Sequence, residues 1–306
     1  MPWLDYLFIK NPLRQFLQGG STGAVARFAR ERLNERLHQP KAGDKTAGPR
    51  KDFLARFLEA KEEFPDTVDD AQVFSYTVSN MNAGSDTTAI SLRAILYYTL
   101  KHPRVLKKLQ QELNEAFEFG RISNPVSWKQ SQDLPYLDAV IKEALRLHPA
   151  VGLMLERTVP DGLQLPNGPF LPPGTIVGAN PWIIHRHSVF GEDVDSFIPE
   201  RWLRGENEPE AEFKTRKQNM VRATFTFGAG PRTCIGKNIS LLEMYKLIPS
   251  MFLTYQVSGS CSVTWILDWS NVLQIELKDS KADWEVVNAW FVRQKKVEVR
   301  LTKVMR

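Results

Sequence analysis

The chain has 306 residues, 42% of them hydrophobic and 10% aromatic, enough to bury a substantial core and more than the usual single domain requires. Two cysteines exclude a disulfide-dense scaffold and suit a reducing compartment. The net charge of +5 invites a nucleic-acid reading, but no nucleic-acid motif or aromatic-basic stripe accompanies it, and no apolar run approaches the ~20 residues that span a bilayer.

The predicted elements begin with a helix over Val25–Leu37, a Pro-, Gly- and Lys-rich loop over His38–Arg50, and a helix over Lys51–Ala60. A long helix follows from Thr67 to Lys101. Thr67-x-x-Asp70 has the form of a capping box, and His102-Pro103 is a stop. Inside that helix lies Ala83-Gly-Ser-Asp-Thr-Thr88. A glycine in mid-helix costs about 1 kcal/mol relative to alanine, so Gly84 beside three small polar residues marks a place where the helix loosens or something approaches closely. Ala83 and Thr87, four apart, share a face. The plain alternative is a core helix with a tolerated polar notch.

Arg104–Phe117 is helical by spacing, and Pro135 opens a further helix whose stripe is Leu137, Val140, Ile141, Ala144 and Leu145. Glu143 and Arg146 sit one turn apart on it, a spacing that most often makes a surface ion pair. From Ala150 to Asn180, Pro-Asn-Gly and Pro-Pro-Gly punctuate short apolar runs, the pattern of hairpins in a small sheet. His185-x-His187 lacks the Cys/His companions of a zinc site. Gly191–Arg222 reads as a polar, loop-rich approach to the segment that carries most chemistry.

That segment is Phe227-Gly-Ala-Gly-Pro-Arg-Thr-Cys-Ile-Gly236. Glycine and proline suit a tight loop, and Leu241, Met244, Tyr245 and Ile248 put a helix directly after it, starting near Gly236. The helix N-terminus and Arg232 both favour a thiolate at Cys234, which is what a nucleophile or an anionic metal ligand needs. A buried structural cysteine is the plain alternative. A thiol enzyme would need a general base, and none of the five histidines shows a recognisable partnering with Cys234.

The pattern Phe-x-x-Gly-x-Arg-x-Cys-x-Gly resembles the haem-binding signature of the cytochrome P-450 monooxygenases, with Phe227, Gly230, Arg232, Cys234 and Gly236 filling every defined position. The resemblance implies a mainly α (α+β) fold with a small β-sheet. It implies haem b held through the Cys234 thiolate as proximal iron ligand, with Phe227 beside it and Gly236 closing the motif, and Arg232 and Arg157 pairing with haem propionates. Ala83, Gly84, Asp86 and Thr87 match the family's oxygen-activation motif, in which the acid and the threonine relay protons; Ala83 and Gly84 then lie above the haem. Glu143 and Arg146 match the family's Glu-x-x-Arg element, which with Arg201 forms a structural ion network. Val151–Leu155 would be apolar pocket wall.

The implied activity is insertion of one atom of dioxygen into a small apolar organic substrate, by hydroxylation or demethylation, in fungal secondary metabolism or detoxification. A flavoprotein reductase would supply electrons, docking on the basic cluster of Lys214, Arg216, Lys217, Arg222 and Lys237. The family implies the endoplasmic-reticulum membrane facing the cytosol; without an anchor helix in this sequence, a cytoplasmic place is the expectation.

The resemblance covers almost the whole chain and is nearest to fungal members similar to pisatin demethylase, but the oxygen-activation motif arrives at residue 83. The chain therefore reads as one N-terminally truncated domain over 1–306, and a catalytically incompetent remnant that does not hold haem is the rival reading. Val257–Gln274, eighteen residues without Lys, Arg or Pro, reads as a translated, unspliced intron, because removing it restores strand alternation; a longer hairpin loop is the alternative.

Overall fold

The computed structural model describes residues 21–38, 52–257, 273–287 and 289–303. Two compact units divide between Asp86 and Thr87.

In the first unit, helix α1 spans Ser21–His38 and α2 spans Phe53–Glu63. Asp52 caps α2: extended in backbone, it accepts the Ala55 N–H at 2.9 Å. The predicted start of this helix at Lys51 lies outside the described residues. The long helix α3 covers Asp70–Lys101. Its cap is not Thr67. Asp69 accepts the Gln72 N–H at 2.8 Å, while the Thr67 hydroxyl turns back to the Phe64 carbonyl at 3.5 Å. A carboxylate one position before the helix meets the orphan donors directly, which Thr67, three residues upstream of Asp70, does not. Val73, near the start of α3, closes a small core with Leu33 and Val68 against Phe57 and Leu58. The helix runs unbroken through Gly84, and a Cβ there would meet nothing within 4 Å among the described residues.

In the second unit, α3 stops at Lys101 as the sequence predicts, and Pro103 opens α4, Pro103–Glu118, where a missing N–H costs nothing. Its apolar positions Val105, Leu106, Leu109 and Leu113 are buried in the main core with Leu137, Val140, Ile141, Met244 and Ile248. A single turn, α5 (Trp128–Ser131), leads to α6, Pro135–Leu147. Leu134, at the N-cap of α6, offers no side-chain acceptor. Glu112 of α4 replaces it, its carboxylate receiving the Tyr136 and Leu137 N–H groups at 2.7 and 2.8 Å.

Strands β1 (Leu155–Thr158), β2 (Leu163–Gln164), β3 (Phe170–Leu171) and β4 (Ile176–Ala179) form two antiparallel pairs, β2 with β3 as the inner hairpin and β1 with β4 in register Leu155↔Ala179 to Thr158↔Ile176. The corner between β1 and β2 needs glycine: Gly162 has φ +94°, and a Cβ there would lie 2.4 Å from the Phe170 ring. Helix α7 (Pro181–Ile184) and two 3₁₀ turns, Ser188–Phe190 and Pro199–Trp202, follow. The stretch read as loop up to Arg222 contains α8, Glu210–Ala223, a correction. Only Met220 of its fourteen residues is buried, so the helix carries no apolar stripe for periodicity to detect. Helix α9, Lys237–Thr254, follows the cysteine segment.

Strands β5 (Tyr255–Val257), β6 (Leu273–Leu277) and β9 (Val299–Lys303) make a three-stranded sheet, and β7 (Glu285–Val287) pairs with β8 (Arg293–Lys295). β5 and β6 run parallel, Tyr255 opposite Leu273. Parallel neighbours cannot be joined by a tight hairpin turn, so this pairing differs from the hairpin weighed from sequence. Residues 258–272 of the suspected insert lie outside the described residues.

Two histidines are wholly buried. His148 Nε2 donates to the Val292 carbonyl at 2.9 Å, and burial is the largest cause holding both His148 and His185 down at about 4. The unfolded chain takes up these protons near 6.5, so it binds more protons than the native state between 6.5 and about 4. Stability is therefore full above pH 6.5 and falls as the pH drops towards 4, by roughly 3 kcal/mol per histidine at the limit. Thermal melts at pH 7.5, 6, 5 and 4.5 are expected to show this loss, shallower in His148→Gln; a flat profile would contradict it.

Candidate active site

The cysteine segment is a loop pinned at both ends. The Cys234 N–H donates to the Phe227 carbonyl at 2.9 Å, and the Cys234 carbonyl accepts from Lys237 at 3.3 Å, the first residue of α9. Between these points Gly228 and Gly230 take φ of +70° and +67°, left-handed values that side-chain-bearing residues rarely adopt, and Gly230–Arg232 forms a 3₁₀ turn. The loop thereby turns the Cys234 side chain to the exposed surface. Leu155 of β1 lies near it: a Cβ added to Gly228 would stand 3.7 Å from Leu155 Cδ1. The exposed Arg157 is two residues further along the same strand.

Around the thiol the donor set is consistent. Ile235, in the loop before α9, is fully exposed, and Ile239 and Leu242, three apart on α9, share a face and are exposed too, which makes an apolar strip after the cysteine. Arg232 and Arg157 are exposed cations, Arg157 donating to the Glu156 carbonyl at 2.7 Å. A soft sulfur donor, an apolar strip and two guanidiniums fit an iron porphyrin, whose plane is apolar and whose two propionates are anionic.

A buried polar cluster stands on α6 in the second unit. Glu143 and Arg146 are completely buried on α6, their side chains joined by two bonds of 2.7 and 2.9 Å. Arg201 Nε adds a third contact at 2.8 Å, and the Trp202 indole N–H and the Ile198 N–H complete the carboxylate at 2.9 and 3.1 Å. Arg146 spends its remaining donors on the carbonyls of His185, Val194 and Ser196. This is not the solvated pair that the spacing most often makes, because Glu143 and Arg146 have no exposed surface and the Arg201 side chain keeps only 7%. Sequence reasoning missed Trp202 in this shell; its place directly after Arg201 is the only local signal.

Ala83, Gly84 and Asp86 are exposed on α3 in the first unit, and Thr87, half-buried, opens the second. The Thr87 carbonyl accepts the Ser91 hydroxyl at 3.0 Å. One residue on, Thr88 meets Ser240 of α9 at 3.2 Å between buried hydroxyls, tying α3 to the helix that follows the thiol. No sequence signal joins residues 152 apart. Ser240→Ala is expected to cost about 1 kcal/mol, Thr88→Val a similar amount, and the double variant less than the sum, measured by denaturant unfolding. Full additivity would mean that the two hydroxyls do not interact.

The basic cluster is smaller than its sequence implies. Arg216 is engaged by both oxygens of Glu208 at 2.8 and 2.9 Å and by the Leu203 carbonyl at 3.0 Å, so it belongs to the local fold rather than to an open cationic face. His185 and His187 do not pair as metal ligands. Both ring nitrogens of His185 face backbone groups, and His187 Nδ1 accepts the Val189 N–H at 3.1 Å. Among the described residues no helix is long and apolar enough to cross a membrane.

The family model for Cytochrome P450 matches residues 2–279. The chain belongs to the cytochrome P450 family. Similar P450s include a "Cytochrome P450 monooxygenase" of Aspergillus terreus, 43% identical over 84% of this chain and 51% of its own length, and "Cytochrome P450 monooxygenase cicH" of Emericella nidulans, 41% identical over 98% of this chain and 55% of its own. The chain thus spans about half the length of these curated relatives. A crystal structure of a cytochrome P450 superposes with a TM-score of 0.69 at 22% identity, covering 95% of this chain and 58% of that one, which establishes the shared fold.

Proposed function

We propose that this chain supplies the haem-thiolate half of a fungal monooxygenase acting on a small apolar organic substrate in secondary metabolism or detoxification. The observation that carries the reading is Cys234 itself: an exposed thiol at the end of a complete Phe227-to-Gly236 signature, pinned immediately before α9. When bound, haem supplies oxygen activation and insertion of one oxygen atom.

The chain's residues have four tasks. Cys234 would hold the iron through its thiolate, Arg232 and Arg157 would pair with the propionates, and Ile235, Ile239 and Leu242 would cover the porphyrin and exclude water. Asp86 and Thr87 would hold and move protons: the carboxylate would take one up from solvent and hand it to the threonine hydroxyl, which would release its own in turn. Leu153 and Met154, both exposed on the approach to β1, offer apolar surface to the substrate. Glu143, Arg146 and Arg201 hold the scaffold and touch neither substrate nor cofactor.

Incubation with a flavoprotein reductase, NADPH, ¹⁸O₂ and a panel of apolar natural products tests the proposal. One labelled oxygen per product molecule is expected, and a chain that takes up no haem would favour the incompetent remnant. Asp86→Asn is expected to lower product formation by about 10²-fold, with NADPH still consumed, because a proton donor is lost while electron delivery persists. Product and NADPH falling in proportion would contradict the proton role.

A further inference from the structure

We propose that His185 is the positioning residue of the cysteine loop, its neutral imidazole coupling the Phe225 backbone to the buried Arg146 and thereby setting where Cys234 stands. His185 is completely buried. Its Nδ1 lies 2.9 Å from the Arg146 carbonyl, which has only lone pairs to give, so Nδ1 carries the hydrogen and donates. Nε2 must then be the acceptor, and it faces the Phe225 N–H at 2.8 Å. The two partners together fix the tautomer and the ring orientation. The Phe190 ring meets the imidazole edge-on, centroids 6.1 Å apart at 77°, and Arg146 Nη1 returns a bond of 2.8 Å to the His185 carbonyl. His185 is thus held from both backbone and side chain by the residue that anchors Glu143.

The coupling continues into the loop. The Phe225 carbonyl accepts the Gly228 N–H at 3.0 Å, closing the turn in which Gly228 is left-handed, and the Phe227 carbonyl accepts the Cys234 N–H at 2.9 Å. Four hydrogen bonds therefore run from the Arg146 main chain to the Cys234 main chain, and the imidazole is the one side chain among them. A backbone N–H at Phe225 with no acceptor would be free to swing the start of the loop, and with it the sulfur. The adjacent segment alone cannot supply this restraint, because Phe225 and His185 are 40 residues apart.

The inference rests on Cys234 being the haem ligand, and its test separates the two. His185→Gln extends an acceptor to the position of Nε2; His185→Asn ends near Nδ1 and leaves the Phe225 N–H unpaired; His185→Phe fills the volume with neither. Amide hydrogen exchange is read on the peptide containing Phe225, and the fraction of thiolate-type Soret absorbance is read on the reduced, carbon monoxide-bound, haem-loaded protein. Asn and Phe variants are expected to raise Phe225 exchange by about tenfold and to shift absorbance away from the thiolate form, with Gln close to wild type in both. Unchanged exchange in both the Asn and Phe variants, or loss in all three in step with their melting temperatures, overturns the proposal. So does faster exchange with an unshifted thiolate fraction. If the wild type shows no thiolate band, the ligand reading fails instead, and the exchange measurement, which needs no haem, still decides whether His185 holds the loop.

Discussion

Glu143→Ala is expected to lower stability by about 3–5 kcal/mol. The reason is the company Glu143 keeps. Its two oxygens receive Arg146 twice, Arg201, the Trp202 indole and the Ile198 N–H, all in a site where Glu143 and Arg146 have no exposed surface. Removing the carboxylate leaves a fully buried guanidinium and a nearly buried one without a counter-charge, together with two unpaired N–H groups. An unpaired buried charge costs far more than an intact pair contributes. Since a domain holds only about 5–15 kcal/mol in total, the variant stands near the edge of folding. Urea unfolding followed by far-UV circular dichroism measures the loss; a change below about 1 kcal/mol would mean that the cluster is open to water. Arg146→Lys should fall between, because an ammonium cannot make the two-pronged contact with Glu143 and still reach the carbonyls of His185, Val194 and Ser196.

Cys234→Ser is expected to have the opposite profile: almost no change in stability and complete loss of thiolate ligation. The side chain is exposed, and its backbone bonds to Phe227 and Lys237 do not involve the sulfur, so the fold should shift by less than about 0.5 kcal/mol. A neutral hydroxyl is a hard, weak ligand for haem iron and lacks the electron donation of a thiolate. The variant should therefore melt with the wild type, bind haem more weakly and form no product. Product at wild-type rate from Cys234→Ser would remove the sulfur from the chemistry. The contrast with Glu143→Ala separates a residue that makes the scaffold from one that uses it.

What the sequence discloses follows from how local each feature is. The stop at His102-Pro103, the stripe of α4 and the helix after Gly236 rest on dihedral and periodic constraints that neighbouring residues carry themselves. The loop around Cys234 is legible for the same reason, since glycine at 228 and 230 and proline at 231 narrow its backbone. The i,i+3 spacing of Glu143 and Arg146 says that the two can meet but not that water is excluded, which depends on Trp202 and on carbonyls near residues 185 to 196. Helix α8 escaped because a helix with one buried residue has no apolar period, and the parallel register of β5 and β6 escaped because strand direction is set by tertiary pairing. The contacts of His185 with Phe225, of Thr88 with Ser240 and of Glu112 with the start of α6 join residues far apart in the chain, where no local pattern exists to read.

Arg216 gives the same lesson for charge. A run such as Lys214, Arg216, Lys217 and Arg222 reads as a cationic face when counted along the sequence, yet Glu208 and backbone oxygens take up the guanidinium of Arg216. Charge counted along a helix overstates the field presented to a partner wherever a neighbouring carboxylate is already in place.

The most direct measurement of the central claim is the absorption spectrum of the purified chain after haem reconstitution, reduced and exposed to carbon monoxide. Ligation by Cys234 predicts the red-shifted Soret band of a thiolate-bound haem, absent in Cys234→Ser. A haem that binds with the blue-shifted band of a neutral ligand, or the same red-shifted band in the serine variant, would contradict it.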